Sequence, residues 1–485
     1  MKFSTLTLAV VTALAAAAPA APKTLKVGFT QRINNPTNGT ADPNSLNNPS
    51  KAPTNPAAVL GNQLIEYVVN ITLGTPAQPF TVQIDTGSSD LWVKGDGSEG
   101  SFDKGSSSTF SEAVPNGFQI SYGDHTSASG DWVKDTFSIG GAKLEQFEFA
   151  LATQTDTDPV FGIGYPSNEA SDSPLENGDT FEYDNLPIRL AKGGFTNTPA
   201  YSLYLDSLQA TTGTLLFGAV DTSKFTGGLA LLPFVNSQSP GSAPREFSVT
   251  LDSVDIFNNG QTTNALDTAR LALLDSGTTL SLVPTATYWT LFNNLGLYSV
   301  PRVGAVATKK QVDGFTNVHV TYTFQGQKVE VPINQLFTPL KDSNGVQQYI
   351  TVDGNDEEAY NFLVADIGSD NGLTILGDSF LRSAYVAYDL KNNQAAIGQA
   401  TYNGGAEKIE EINSNGVPSA TAAPSTATWT ADSDITSDYA TATTQYSVHP
   451  TGESDNGNPF GGDPFGNGGD PFGNGGDPFG GLGGL

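Results

Sequence analysis

Two short segments of this 485-residue chain share the same order of chemical groups: an aspartate, a hydroxyl side chain, a glycine and a second hydroxyl side chain. They are DTGS at residues 85–88 and DSGT at residues 275–278, and each follows an apolar run typical of a buried strand. One such tetrapeptide indicates no more than a tight turn at a strand end. Two of them predict related half-sites that face each other and supply one pair of carboxylates, as an acid–base hydrolase requires.

The chemistry of such a pair follows from electrostatics. Two carboxyl groups about 3 Å apart cannot both be ionised, because like charges at that range raise one pKa. Asp85 and Asp275 would then share one proton, so that one carboxylate takes a proton from water while its partner donates to the peptide carbonyl. This division of roles needs no covalent intermediate, metal or cofactor. Which aspartate is the base stays open, because the pair titrates as a unit.

Composition restricts the partners of the chain. A formal net charge of −28 argues against nucleic acid and anionic membrane surfaces, because both would repel the protein. The absence of cysteine excludes thiol nucleophiles and cysteine metal sites. The histidines His125, His319 and His449 are too scattered for metal-ligand spacing. We therefore expect no cofactor, no metal and no nucleic-acid partner.

The N-terminal region has two parts. Residues 1–20 contain one lysine, a short apolar stretch and small residues near the end, which predicts a secretion signal and no membrane insertion. Residues 21–61 carry four basic side chains against one acidic one. We expect this leader to be a propeptide that lies on an acidic cleft and is released when carboxylates become protonated. A flexible spacer is the alternative.

Strands are predicted for the middle of the chain, residues 62–402, because short alternating runs are separated by Gly, Pro and Asn. Residues 403–485 are rich in Ser, Thr and Ala and then repeat the sequence DPFGNGG. This composition predicts a disordered tail. The proline in every copy of the repeat argues against a calcium-binding turn.

Five motifs, in this order and spacing, resemble a pepsin-type aspartic protease over residues 62–402, most similar to the secreted fungal candidapepsin and yapsin branch. The motifs are DTGS, the hairpin sequence YGD, FGIGYPS, DSGT and TILGDSFLR. The resemblance implies an all-β, bilobal fold with an N-terminal lobe at 62–221, a C-terminal lobe at 222–402 and a cleft between them. It also implies a secreted, monomeric zymogen that cleaves polypeptides internally at acidic pH. The tail is a candidate for cell-wall association.

The resemblance also assigns supporting roles around the two aspartates. The supporting positions are Thr86, Gly87, Ser88, Ser276, Gly277 and Thr278. The two glycines remove side chains where backbone passes close to the carboxylates. The outer hydroxyls match positions that hydrogen-bond the carboxylates, and the inner hydroxyls match positions that cross-brace the two lobes.

Residues 117–139 contain two alternating runs joined by a polar turn, which predicts a hairpin. By resemblance this hairpin is the flap that closes over substrate. Tyr122 would lie on its inner face and accept a hydrogen bond from the Trp92 indole, and Gly123 would contact substrate. Asp124 implies that the site takes Lys or Arg before the cut in addition to large hydrophobic residues.

Two other functions, a serine esterase and a binding module without activity, are compared with the protease function. The sequence GDSF at residues 377–380 is similar to the nucleophile block of a serine esterase, but only His449 follows it as a base. A catalytically silent pepsin-like module that binds protein or glycan is the remaining alternative.

Two tripeptides, NGT at Asn38 and NIT at Asn70, have the form of N-glycosylation acceptors. Such sequences are common by chance. Secretion favours their use, so we treat both asparagines as candidates.

Overall fold

The computed structural model describes residues 23–33, 65–172, 181–342, 344–370, 373–430 and 440–450. The predicted signal peptide, Asn38 and the DPFGNGG repeats lie outside these residues. Strands dominate the described part of the chain, which confirms the predicted all-β class.

The first half of the described chain forms eleven strands, some with one exposed face and others buried throughout. They are β1 (Leu25–Ile33), β2 (Ile65–Leu73), β3 (Gln78–Asp85), β4 (Trp92–Lys94), β5 (Ser111–Ser121), β6 (Ser127–Ile139), β7 (Ala142–Thr155), β8 (Val160–Gly162), β9 (Ala200–Tyr204), β10 (Thr212–Phe217) and β11 (Ala219–Asp221). In β1, Val27 and Phe29 are buried whereas Lys26 is exposed, because alternate side chains of a strand point to opposite faces.

The second half continues with β12 (Phe225–Pro233), β13 (Ser248–Leu251), β14 (Ser253–Asn258), β15 (Gln261–Leu266), β16 (Arg270–Leu274), β17 (Ser281–Val283), β18 (Tyr298–Val300), β19 (Gly304–Thr308), β20 (His319–Phe324), β21 (Gln327–Pro332), β22 (Phe337–Pro339), β23 (Gln348–Val352), β24 (Asn355–Phe362), β25 (Val364–Asp366), β26 (Thr374–Leu376), β27 (Ala384–Asp389) and β28 (Gln394–Ala400). Three short strands follow Tyr402: β29 (Ile409–Glu411), β30 (Ala420–Ala422) and β31 (Val448–Pro450).

Helices are short in the described residues. The α-helices are α1 (Leu186–Lys192), α2 (Thr285–Leu295), α3 (Lys309–Gly314) and α4 (Asp378–Leu381), and 3-10 turns lie at Lys104–Ser106, Pro166–Asn168, Ala170–Asp172 and Ile333–Gln335. Helix α2 ends at Gly296, whose φ of 65° is the left-handed conformation that glycine adopts without strain. None of the described helices is long and apolar enough to cross a membrane.

One 14-stranded sheet joins the two halves of the chain. Its order is β30-β12-β28-β27-β9-β10-β1-β2-β6-β7-β4, with β3 attached to β2, β8 to β3 and β5 to β6. Three further sheets belong to the second half, with the orders β13-β16-β26-β17-β25, β15-β14-β20-β21 and β18-β19-β24-β23-β31, the last with β22 paired to β24. A small two-stranded sheet pairs β11 with β29.

The strand before each predicted aspartate has an equivalent neighbour. β8 runs parallel to β3 and pairs Phe161 with Ile84, and β26 runs parallel to β16 and pairs Ile375 with Leu273. The FGIGYPS and TILGDSFLR motifs thus provide the parallel neighbours of the two aspartate strands. Gly162 is required at its crossing, because a Cβ atom there would lie 2.5 Å from the backbone nitrogen of Ser89.

The described part of the leader is not laid over a cleft as predicted. Residues 25–33 form β1, which pairs on one side with β10 and on the other with β2. Its buried face, including Phe29, packs into the main hydrophobic core. The basic composition of the leader gave no sign of this, because the apolar residues that fix β1 in the sheet are few.

The tail differs from its prediction as well. Between Tyr402 and Pro450, the described segments are packed on the protein rather than disordered: β29 pairs with β11, β30 with β12 and β31 with β23. Ile412 is fully buried and Val448 is 5% exposed. Single apolar side chains in a polar segment are too sparse to alter a composition-based prediction, yet Ile412 and Val448 are each buried on a surface that the rest of the fold provides.

Candidate active site

Both aspartates stand at the ends of strands, where tight turns satisfy their oxygens. Asp85 ends β3; its Oδ1 accepts a hydrogen bond from the amide of Gly87 at 2.7 Å, and its Oδ2 accepts one from the Ser88 hydroxyl. Asp275 directly follows β16 and repeats the arrangement: the amide of Gly277 donates to Oδ1 at 2.8 Å and the Thr278 hydroxyl donates to Oδ2 at 2.6 Å. The two half-sites are thus equivalent atom by atom.

The half-sites face each other through their glycines. A Cβ atom on Gly87 would lie 2.6 Å from Oδ1 of Asp275, and one on Gly277 would lie 2.6 Å from Cγ of Asp85. Any larger residue at either position would collide with the opposite carboxylate. The predicted reason for glycine at these positions agrees with this geometry.

A symmetric hydrogen-bond brace lies beneath the carboxylates. The Thr86 hydroxyl donates to the carbonyl of Leu274 at 2.7 Å and accepts from the amide of Ser276 at 2.9 Å. In return, the Ser276 hydroxyl donates to the carbonyl of Ile84 at 3.1 Å and accepts from the amide of Thr86 at 3.2 Å. Because each hydroxyl bonds the opposite strand, the two aspartates cannot separate without breaking buried hydrogen bonds.

The carboxyl groups are shielded from solvent, with Asp85 6% and Asp275 8% exposed. Burial, followed by the charge of Asp275, raises the pKa of Asp85 well above its ordinary range, although the bonds from Ser88 and Gly87 oppose the shift. A buried pair of this kind retains a proton at a pH where an exposed aspartate has lost it.

The predicted hairpin is formed by β5 and β6, with a turn held at its tip. The amide of Tyr122 donates to the carbonyl of Thr126 at 2.9 Å, and His125 takes a positive φ of 69°. Asp124 is exposed, and its Oδ1 accepts hydrogen bonds from the amide and hydroxyl of Thr126 at 3.0 and 2.7 Å. Gly123, between Tyr122 and Asp124, is half-buried.

Tyr122 is tied to the floor of the site. The Trp92 indole donates to the Tyr122 hydroxyl at 2.7 Å, and Trp92 itself is fully buried at the end of the first aspartate loop. Burial raises the pKa of Tyr122 well above its ordinary range, so the hydroxyl stays neutral. The predicted partnership of these two rings is present in the structure.

Two buried acids beside the dyad were missed as site residues. Asp90 accepts hydrogen bonds from the amide of Ala170 at 2.8 Å and from the Tyr183 hydroxyl at 2.7 Å, which fixes the far end of the first aspartate loop. Asp378 begins α4, and its amide donates to the carbonyl of Thr278 at 2.8 Å. Burial raises the pKa of Asp378 well above its ordinary range, and the charge of Arg382 opposes that shift. Asp378 lies inside the TILGDSFLR motif and Asp90 lies two residues after DTGS, which was the available signal.

An ion-pair cluster around Arg32 was not predicted from the sequence. Arg32 of the leader strand donates through Nε to Oε2 of Glu66 at 3.1 Å and through Nη2 to Oδ2 of Asp158 at 2.9 Å. The carbonyl of Ile65, next to Glu66, accepts a hydrogen bond from the Thr279 hydroxyl at 2.7 Å. Glu66 therefore lies against the loop that carries Asp275. Its partners come from distant parts of the chain, so no local pattern could have revealed them.

Within the described ranges, no group of three or more His, Asp or Glu side chains is arranged to hold a metal ion.

Comparison with known proteins identifies the family. The eukaryotic aspartyl protease family matches residues 66–400. An acid protease of Saccharomycopsis fibuligera is 39% identical over 350 residues, covering 71% of this chain and 83% of the relative. Aspartic proteinase yapsin-3 of Saccharomyces cerevisiae is 35% identical over 418 residues, covering 82% of this chain and 77% of the relative.

A solved structure agrees in fold. The aspartic proteinase from Irpex lacteus superposes with a TM-score of 0.57 at 23% identity, over 70% of this chain and 95% of that one. The bilobal all-β architecture predicted from sequence is thereby confirmed. The matched span contains both half-sites and the hairpin, and the chain belongs to the eukaryotic aspartyl protease family as an aspartic-type endopeptidase.

Proposed function

We propose that this endopeptidase hydrolyses internal peptide bonds at acidic pH with Asp85 and Asp275 as one catalytic dyad. The observation that carries the proposal is the pair of buried carboxylates that face each other, each already bonded by a hydroxyl and a glycine amide of its own turn. These bonds fix the orientation of both groups. Since one chain supplies both, a monomer is sufficient.

The reaction follows from one shared proton. A water molecule held between the carboxyl groups loses a proton to the charged member as its oxygen attacks the carbonyl carbon of the substrate. The protonated member donates to the carbonyl oxygen, which gives a tetrahedral intermediate. Proton transfer to the amide nitrogen then lets the C–N bond break, and the dyad is returned to its starting charge. Aspartic proteases are the standard example of this sharing.

The acid preference follows from the sign of the pKa shift. Because the pKa of Asp85 is raised by burial and by Asp275, the shared proton is kept at mildly acidic pH and lost as pH rises through that raised value. At the lowest pH the second carboxylate also takes a proton, and no base remains. With 50 acidic against 22 basic residues, the chain acquires less positive charge in acid than a balanced protein would.

Substrate would lie extended beneath the hairpin, with its side chains in alternating positions along the cleft. The bond from Trp92 fixes the Tyr122 ring of the hairpin, and we expect the pocket beside this ring to favour large hydrophobic residues before the cut. Asp124 supports acceptance of Lys or Arg at that position as well. Its Oδ1 is used by Thr126, and within the described residues its Oδ2 makes no hydrogen bond, so that oxygen can meet a cation.

We also propose that residues 21–61 act as a propeptide and that the protein is secreted. The Arg32 cluster supports the first part, because it joins the leader strand to Glu66 of β2 and to Asp158. Burial raises the pKa of Glu66, and Arg32 opposes that shift. Protonation of Glu66 would remove its charge attraction to Arg32, so we expect this ion pair to weaken as pH falls. Any wall attachment would rest on the chain after Pro450, which lies outside the described residues.

Replacement of either aspartate by asparagine tests the dyad. We expect Asp85→Asn and Asp275→Asn each to lower kcat/KM for a fluorogenic peptide near pH 4 by at least about 1,000-fold, because an amide can neither accept the proton of water nor share one. The exposed Asp267→Asn is the matched control and should retain full activity. Circular dichroism would verify folding. A folded Asp85→Asn variant with a tenth of the wild-type rate would contradict the proposal.

Asparagine at position 124 tests the proposed basic preference. Asp124→Asn keeps an oxygen for the turn bond from Thr126 but removes the charge. We expect the ratio of kcat/KM for a peptide with Lys before the cut to that for one with Phe to fall roughly five- to tenfold. Asp96→Asn, another exposed aspartate that bonds its own turn, should leave the ratio unchanged. An unaltered ratio in Asp124→Asn would remove Asp124 from substrate selection.

Removal of the Arg32 charge tests the propeptide. We expect full-length Arg32→Gln to lose its leader several-fold faster than wild type at about pH 5, because β1 then keeps its backbone pairing, its apolar burial and the exposed ion pair of Lys26 but loses the partly buried one. Mass spectrometry of the N-terminus over time measures this. Lys26→Gln, which removes an exposed ion pair of the same strand with Glu407, is the control. Equal rates for both variants would show that the cluster does not retain the leader.

A further inference from the structure

A groove of about 530 Å³ lies on the outer side of β2 and β3. Its walls include Asn70, Thr72, Pro79, Thr81 and Ser138, with Gly140 and Gly141 at one end. The dyad mechanism uses none of these residues. Asn70 and Thr72 are the first and third residues of the NIT acceptor sequence, so a motif that the protease function leaves unused lies at the rim of an unused cavity.

Strand geometry presents both ends of the acceptor sequence on one face. Residues two apart in a strand point the same way, so Asn70 and Thr72 are both directed outward while Ile71 between them is buried. Asn70 is exposed. The acceptor asparagine and the hydroxyl residue that its recognition requires are therefore on the surface together.

A neighbouring side chain fixes the asparagine amide. Thr81 is the cross-strand partner of Asn70, and its hydroxyl donates to Oδ1 of Asn70 at 2.9 Å. With Oδ1 held in this way, Nδ2 is the free end of the amide; it makes no hydrogen bond to any described part of the chain. The atom that would carry a sugar is thus oriented by the fold.

We propose that Asn70 carries an N-linked glycan whose first N-acetylglucosamine is seated in this groove. The donor is an oligosaccharide linked to a polyprenyl pyrophosphate. The bond from Nδ2 of Asn70 to C1 of the sugar forms, the C1–O bond to pyrophosphate breaks, the amide loses one proton, and the lipid pyrophosphate leaves. Because Asn70 lies at the rim of the groove, the sugar bonded to it is the molecule that we expect to occupy the groove.

The groove suits a sugar ring in shape and chemistry. Pro79 lies opposite Thr72 in the register and is exposed, so its ring gives an apolar surface for the C–H face of the sugar. The hydroxyls of Thr81 and Ser138 lie beside it for the polar edge. Gly141 keeps its end open, since even a Cβ atom there would meet nothing within 4 Å.

The test uses the full chain secreted from a yeast host. We expect trimming by an endoglycosidase to leave one N-acetylglucosamine on Asn70, detected by mass in the tryptic or chymotryptic peptide. Thr72→Ala should remove it while the bond between Asn70 and Thr81 is kept. Loss of the first sugar should lower the melting temperature by about 1–3 °C, and trimming of the outer sugars alone should not. Filling the groove with Ser138→Arg should abolish the difference between glycosylated and Thr72→Ala protein.

An unmodified Asn70 overturns the proposal. So does a modified Asn70 whose trimming to one sugar already causes the whole drop in melting temperature, because the stabilising contact would then lie beyond the groove. Equal effects of Thr72→Ala with and without Ser138→Arg also overturn it. None of these readouts depends on peptide hydrolysis, so the test is independent of the proposed catalytic role.

Discussion

Two buried carboxyl groups that face each other repel unless they share a proton, and the structure around Asp85 and Asp275 is organised by that constraint. Glycines remove the side chains that would separate the groups, and a hydroxyl and an amide in each turn satisfy the outer lone pairs. What remains unsatisfied is directed into the gap between them. Burial, and after it the charge of Asp275, raises the pKa of Asp85, and in the proposed mechanism this shift lets the pair supply an acid and a base together.

Holding the pair at that separation requires the whole sheet system. Each aspartate strand has a parallel neighbour, and the bonds of Thr86 and Ser276 join the two strands beneath the carboxylates. The large sheet contains β3 and strands of the second half, whereas β16 lies in a separate sheet, so the bonds of Thr86 and Ser276 are what join the two half-sites directly. The leader strand β1 is part of the large sheet, between β2 and β10. The proposed activation and the proposed catalysis therefore both depend on the large sheet. Glu66 lies in β2, the strand that pairs with the leader strand β1 on one side and with the aspartate strand β3 on the other.

The sequence made the half-sites predictable because duplication repeats a local pattern: strand, aspartate, hydroxyl, glycine, hydroxyl. The all-β class was predictable for the same reason, because the alternation of apolar and polar residues in a strand is a pattern among neighbouring residues of the sequence. The contacts of Arg32 with Asp158 were not predictable, since these residues are 126 positions apart and only sheet pairing brings them together. Ile412 and Val448 escaped prediction because each is one apolar residue in a polar segment. Burial depends on the receiving surface, which composition does not describe.

The pH dependence of kcat/KM for an uncharged peptide tests the shared proton most directly. We predict a bell-shaped profile with its maximum in mild acid and two limbs that belong to the pair rather than to either aspartate. The upper limb should lie above the ordinary range of an aspartic acid, because burial and the neighbouring charge raise the pKa of Asp85. A rate that stayed constant or rose from about pH 3 to neutrality would contradict the account, since a dyad that has lost its proton cannot supply the acid.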